Sequence, residues 1–443
     1  MNLVARGCRA TVAIALVAVL LGSSGIAVLP SSGSVPAGRI GSLTGNSSLP
    51  VATQVLATIE VPSNPYWPVF DSANGNMYVV SSANLATSNP VSVLSGTTDS
   101  LVTTVTVGDS PQPATVDPSD GFVYVSNAGS DNVSVISPTT SSVVTTIAVG
   151  DLPAPPEYDA QNGDLYVSDG FAANVSVIAL SNNTVVRTIP VGSLPLTPVY
   201  DRQSDSIYVP NLGSDNLTVI SDSTNKVVGS IALEAAPGEP TLDNASGDLY
   251  VPLGSPDAGN VSIVSDSTDT VLSTIRVGGE ATAGVFDPAT GDLYFPEASG
   301  LVVVSGESKS VVTSIPVGDD SETPCSTNGG STLYVANARS DTVSVVSSAD
   351  NSLLRNISIS VVPDETLIGT ACDSITGQVF VSVEGSDSSA AVVILGTVAP
   401  YTLPTYVVYL LVGATTGLAV GAIVWAVRRR RGRVPARPQN PQQ

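Results

Sequence analysis

The stretch from Asp117 to Gly150 reads DPSDGFVYVSNAGSDNVSVISPTTSSVVTTIAVG, and near-copies of it recur along most of the 443-residue chain. Aligned on the aromatic residue of the "YV" step, the copies fall at Tyr78, Tyr124, Tyr166, Tyr208, Tyr250, Tyr294, Tyr334 and Phe380. Successive spacings are 46, 42, 42, 42, 44, 40 and 46 residues. A period near 42 built from β-branched residues and turn formers predicts propeller blades rather than helical solenoids.

Within one unit the apolar period is two. FVYV, NVSVIS and VVTTIAV alternate or run apolar, and clusters of Gly, Asp, Asn, Ser and Pro separate them, the pattern of short antiparallel strands and their turns. A fourth strand is expected around Gln112 to Val116, so each unit supplies one four-stranded sheet with strands of about five residues.

Turn chemistry repeats with the strands. Seven residues before the aromatic stands Asp71, Asp117, Asp159, Asp201, Asp243, Asp287 or Asp373, and only the seventh unit departs, with Thr327. Three residues before the aromatic stands Gly75, Gly121, Gly163, Gly247, Gly291 or Gly377, with Asp205 and Ser331 as exceptions. An Asp that binds the backbone two residues on, followed by a Gly free to take positive φ, closes a tight hairpin. A radial fold would also set the seven carboxylates in a ring, where they form a candidate site for Ca²⁺ or another hard cation. The competing reading is that each Asp serves its own turn. The aligned tyrosines read as packing between blades rather than as stacking platforms.

The sequence D-P-x-x-G-x-x-Y-V-x-N, then V-S-V-I, then V-V-x-T-I-x-V-G-x-x-P, resembles the YVTN-type β-propeller repeat of bacterial and archaeal surface-layer-like proteins. The resemblance covers roughly residues 51–396 and implies an all-β propeller. It implies no activity, because propellers host many unrelated functions.

The array begins inside a unit, since Val55 to Val61 (VLATIEV) corresponds to the last strand of a blade. The final unit, which ends at Gly396, lacks that strand. The two defects complement each other, so the N-terminal strand is expected to complete the last blade and close the ring without a free sheet edge. This arithmetic predicts eight blades. Seven is the alternative, if the first unit, with its SSANLATSNP insertion, is not a true blade.

Outside the array, residues 1–28 read as a secretory signal, with Arg6 and Arg9 before an apolar run from Ala10 to Leu21. No A-x-A site follows, so an uncleaved anchor is the alternative. Cys8 precedes the apolar run, unlike a lipoprotein cysteine. Residues 29–50 form a Ser/Gly/Pro-rich linker. After a second linker, 397–405, the uncharged segment 406–427 is long enough to cross a bilayer as a helix. Tyr401, Tyr406, Tyr409 and Trp425 flank that segment as interface residues, and Leu403-Pro404-Thr405-Tyr406 does not fit a sortase signal. Arg428 to Arg431 and Arg433 open the tail 428–443, which places the tail in the cytoplasm and the propeller outside a cell membrane.

Charge and composition narrow the functions. All 38 acidic residues lie between the signal and the tail, with eight of the 16 basic ones, a net charge of −30 for that stretch. Such a surface excludes nucleic acid as a partner and favours cations or basic partners. The chain has no histidine, which removes His-ligated metals and Ser-His-Asp or Cys-His chemistry. A carboxylate pair for glycoside hydrolysis has no recognisable unique site among repeated acids.

Cys325 and Cys372 lie on the first strands of consecutive units, one position out of phase. Successive strand residues face opposite sides, and neighbouring blades pack opposite faces together, so the two sulfurs can meet as a disulfide in an exported protein. Two separate buried thiols are the alternative. Sequons stand at Asn46, Asn132, Asn174, Asn182, Asn216, Asn244, Asn260 and Asn356 and make the ectodomain a candidate glycoprotein. Asn132, Asn174, Asn216 and Asn260 share one repeat position, where Asn also serves a turn.

The expected function is a membrane-anchored surface propeller, a non-catalytic structural or interaction module for envelope proteins or glycans, with no cofactor beyond a possible Ca²⁺. Two alternatives stay open: an extracellular enzyme of lyase, lactonase or quinoprotein type, and a solute- or cation-binding protein. The enzyme would need one blade whose acidic, Arg or Tyr residues converge on the channel.

Overall fold

A computed structural model describes residues 53–397, apart from 83–88, 255–258, 280–281, 299 and 363. The expected signal, both linkers, the apolar segment 406–427, the basic tail and Asn46 lie outside the described residues. Thirty-two strands, β1–β32 in chain order, form eight four-stranded antiparallel sheets. The chain is an eight-bladed propeller.

The second blade shows the plan. Its strands are β6 (Thr115–Val116), β7 (Val123–Asn127), β8 (Asn132–Ser137) and β9 (Ser142–Ala148), hydrogen-bonded in that order from channel to periphery. The innermost strand is shorter than its sequence suggests. Pro111 and Pro113 have no N–H to give a ladder, so the chain makes an isolated bridge at Pro111↔Asn127 and pairs regularly only from Thr115↔Tyr124. The first unit is a true blade despite its insertion, with strands Val69–Asp71, Asn76–Val80, Asn89–Ser95 and Ser100–Val107 in one sheet.

The ring closes as its sequence defects demand. In the eighth blade, β1 (Thr53–Val61) lies outside β32 (Ala390–Thr397), β31 (Val379–Glu384) and β30 (Thr366–Cys372), pairing antiparallel from Val61↔Ala390 to Thr53↔Thr397. No blade is left with an open seam for edge-to-edge association.

The core is eight layers, one between each pair of adjacent blades. In the layer between blades two and three, Tyr124, Val133, Val135 and Ile147 pack on Leu165, Val167 and Ile178, all buried. The alternation that marks the strands therefore decides which blade each side chain meets, since one strand face serves the preceding neighbour and the other the next. Cys325 and Cys372 obey this rule. They form a disulfide, with Cα atoms 5.6 Å apart, in the layer between blades seven and eight.

Strand direction defines two rims. The first-to-second and third-to-fourth strand hairpins open on one, here the turn rim. The second-to-third hairpins and the blade-to-blade connections open on the other, the connection rim.

Candidate functional site: an apolar cleft on the connection rim

The seven repeated Asp residues end or directly follow the first strands on the turn rim and are buried. Each Oδ1 accepts the N–H two residues on, from Ala73, Ser119, Gln161, Gln203, Ala245, Ala289 or Ile375, at 2.7–2.9 Å. Gly163 shows why glycine follows: its N–H bonds back to Asp159 O at 3.0 Å with φ 74°. Asp205 takes the same role in the fourth blade at φ 50°, a conformation Asp tolerates.

The second oxygen separates the turns. Ser204, Ser246, Thr290 and Thr376 donate hydroxyls to Oδ2 of the Asp three residues earlier. Asn74 and Asn162 hold that position in blades one and three, and Oδ2 of Asp71 and Asp159 is buried without a partner. Burial holds the Asp71 carboxyl above the usual carboxylate range. Among the described residues no group of three or more acidic or Cys side chains is placed to share one ion.

The tyrosines clamp blade to blade. Tyr124, Tyr166 and Tyr294 donate to Oδ1 of Asn183, Asn225 and Asn351 in the next blade's outer hairpin, at 3.1, 2.7 and 2.7 Å. Tyr208 donates likewise to Asp269 at 3.1 Å. Tyr78, whose hydroxyl accepts from Asn74 of its own blade at 3.3 Å, makes no such bond, and neither does Tyr250. Lys309 stands where its Asn partner would be and pairs with Asp248, leaving the Tyr250 hydroxyl without a partner.

The sequons divide by exposure. Asn182 and Asn244 are exposed on the turn rim. Asn132, Asn174, Asn216 and Asn260 open their third strands half-buried, and the Oδ1 atoms of Asn132 and Asn216 each accept an amide N–H from the motif Asn five residues earlier, at 2.7 Å. Asn356 is exposed on an outer strand, its Oδ1 accepting from Ser344.

The connection rim repeats less faithfully, and it holds an apolar cavity. A cleft of about 350 Å³ runs across blades two to five, from Gln112 to Glu239, walled by Leu152, Leu194, Leu196, Leu212 and the prolines beside them. Its few polar groups sit at the ends. Thr197 donates to Glu239 Oε1 at 2.6 Å and fixes that exposed carboxylate at one end. Leu152, Leu194 and Leu212 stay 39, 39 and 41% exposed, an apolar patch on a surface otherwise rich in carboxylates.

Two acids near the cleft carry raised pKa values. Asp169 ends the second strand of blade three, where blades two, four and seven have the motif residues Asn127, Asn211 and Asn337. Those Asn amides donate to the hydroxyl of Ser134, Thr218 or Ser344 at 2.9 Å. Asp169 can only accept, from Ser176 at 2.8 Å, and Asn174 Oδ1 is left buried without a partner. Burial pushes Asp169 up to about 6. Glu157 opens the inner strand Glu157–Asp159, and burial pushes it up to about 7, with the Tyr200 N–H of the next blade as its hydrogen-bond donor at 3.1 Å. Val69, Thr115, Val199, Thr241, Val285, Cys325 and Ala371 fill the corresponding position elsewhere.

The repeat motif predicts the Asp turns, the tyrosine packing and the disulfide phase. It does not single out the cleft, although its signal is present as departures from the repeat: Leu in D-L-P and S-L-P where the second unit has D-S-P, and Y-V-S-D where it has Y-V-S-N.

No protein-family model matches the chain, and no curated protein matches its sequence. Solved structures match the fold. Hydrazine synthase of Kuenenia stuttgartiensis is 18% identical at a TM-score of 0.51, over 65% of this chain and 96% of that one. Dihydro-heme d1 dehydrogenase NirN, in complex with DHE, is 14% identical at a TM-score of 0.53, over 66% of each chain. At these identities the likeness shows the propeller fold and nothing of the chemistry.

Proposed function

We propose that the chain is a YVTN-type surface protein, a membrane-anchored extracellular propeller that acts as a non-catalytic interaction module in the cell envelope. One observation carries the reading. Thr53 pairs with Thr397, so the described chain enters and leaves the propeller together on the turn rim. The uncharged segment 406–427, read from its sequence as a membrane span, follows Thr397 after only eight residues. A tether that short, at no more than about 3.5 Å per residue, holds the turn rim toward the bilayer. The connection rim and its apolar cleft then point away from the membrane, toward envelope proteins or glycans.

Membrane fractions and intact cells test this. The chain is expected to remain in the pellet through an alkaline carbonate wash, and its propeller to react with a membrane-impermeant amine reagent at Lys226 and Lys309. Release by the wash, or labelling only after lysis, overturns the reading.

A second reading, an extracellular enzyme, has Glu157 in its favour. It is the acid at an inner-strand position that is otherwise apolar, Thr or Cys, and a pKa of about 7 suits a general acid or base. Turnover of a lactone or uronate substrate that Glu157→Gln abolishes, with folding intact, would favour this reading over the first.

A further inference from the structure

Five of the connections before the inner strands share a backbone conformation that most side chains avoid. Asn64, Ser110, Leu152, Leu194 and Asp320 occupy one repeat position, all in the left-handed region, at φ 53, 50, 59, 50 and 57°. One hydrogen bond accompanies it. The carbonyl of each accepts an N–H from the second-to-third hairpin, from Ser82, Ala128, Gly170, Leu212 and Ala338 at 2.7–3.0 Å, and Ala236 in the fifth blade accepts the same bond from Gly254 at 2.8 Å without a left-handed φ. Asn, Asp and Ser suit this position, because a short polar side chain tolerates the region, whereas a leucine there is strained. Two adjacent blades nevertheless carry leucine. Both side chains are over one-third exposed, both line the cleft, and neither is needed to close the connection, since the polar residues close it elsewhere. Strain retained at exposed apolar groups around a cavity is the signature of a site held ready for something else.

The surrounding charge indicates what that is. The connections and second-to-third hairpins of blades two to five carry Asp109, Asp131, Asp151, Asp215, Glu234 and Glu239, and no Lys or Arg. Apolar walls with Glu239 at one end, on a rim that is otherwise acidic, complement a ligand that is both apolar and cationic. Equivalent leucines on successive blades present two equivalent apolar contacts, so the ligand should repeat its apolar groups as well, as side chains along an extended peptide do.

We propose that this cleft binds an extended peptide segment of an envelope partner, one that places two leucine-like side chains against Leu152 and Leu194 and a Lys or Arg against Glu239. This deepens the interaction-module reading and rests on it. The peptide therefore supplies the apolar surface that the exposed leucines lack, and its cation answers the acidic rim.

Fluorescence anisotropy of the full chain with labelled acetyl-Leu-Lys-Leu-Pro-Leu-amide tests the proposal, with the Lys→Glu peptide as control. The Lys peptide is expected to bind at least tenfold more tightly than the Glu peptide, and to weaken as salt rises from 0.05 to 0.5 M. The double variant Leu152→Asn/Leu194→Asn is expected to lose at least tenfold in affinity with no fall in Tm, because Asn suits the left-handed backbone; Glu239→Gln should narrow the Lys/Glu preference. Absence of Lys-peptide binding at 1 mM, equal affinity for the two peptides, or full affinity in the double variant would each sink the proposal. None of these outcomes bears on whether the chain sits in the membrane, which the carbonate wash decides separately.

Discussion

The two rims are made from the same repeat and have diverged differently. On the turn rim seven of eight blades keep the Asp turn, and four tyrosines find the same partner position in the next blade. On the connection rim one repeat position holds Asn, Ser, Leu, Leu and Asp in five blades that share a single backbone shape. Uniformity on the first rim reflects hydrogen bonds and packing that each blade needs in order to dock on its neighbour. Variation on the second leaves the backbone unchanged and alters only what solvent meets. In a repeat protein, departure from the repeat without departure from its geometry marks the surface available for recognition.

The largest expected effect falls on the uniform rim. Tyr166 is fully buried against Val175, Val177 and Ile189 of its own blade and Ile207, Val209 and Ile220 of the next. Tyr166→Ala should lower unfolding free energy by about 4 kcal/mol, as a large aromatic leaves a cavity. Tyr166→Phe removes the bond to Asn225 and the weaker one accepted from Asn162 at 3.3 Å, and should cost about 1 kcal/mol. Tyr250→Phe supplies the control, since the Tyr250 hydroxyl has no partner to lose, and it should leave stability unchanged or raise it. Urea titrations of the three variants decide the point, and an equal loss in both Phe variants would refute the clamp.

A smaller effect, of opposite sign, is expected at Asp169. Burial disfavours its charged form in the folded state and holds its pKa at about 6, against about 3.9 in an unfolded chain. The folded state therefore binds the proton more tightly. The contribution to stability is complete below about pH 4, is lost as pH rises to about 6, and stays lost above that. Asp169→Asn restores an amide donor toward Ser176 and Asn174 and carries no charge, so it should gain up to about 3 kcal/mol at pH 7 and little at pH 4. Thermal unfolding of wild type and variant at both pH values tests the sign. Any acid stabilisation left in the variant belongs to other carboxyls that burial holds high, Asp71, Asp222, Asp266, Glu157 and Glu322 among them.

Legibility in the sequence follows the same division. Blade count, closure by residues 55–61 and the meeting of Cys325 with Cys372 all rest on period-two alternation and on counting, which local backbone geometry does not disturb. Inner-strand length was less legible, because prolines such as Pro111 and Pro113 withhold donors from a ladder their β-branched neighbours would extend. The Asp turns were visible as residues, but not the hydroxyl three positions on that separates Asp201 and Asp243 from Asp71 and Asp159. The cleft was hidden for a conformational reason: nothing in D-L-P announces a left-handed leucine. Only comparison of one repeat position across five blades, with φ in hand, shows that Leu152 and Leu194 stand where polar residues would be at ease.

The smallest stability effect is therefore expected where the largest binding effect lies. Leu152→Asn relieves a left-handed leucine, a gain of about 1–2 kcal/mol. It also gives up the partial burial of that side chain, a loss of about 1 kcal/mol. The two nearly cancel, so urea midpoints should move by less than the equivalent of about 1 kcal/mol while peptide affinity falls. The reciprocal change is more discriminating. Ser110→Leu places the strained residue in the second blade, whose connection supplies Gln112 but no leucine to the cleft, and should cost about 1 kcal/mol with little burial to offset it. If Ser110→Leu were as harmless as Leu152→Asn, the left-handed position would not discriminate among side chains, and the contrast between the rims would lose its energetic basis.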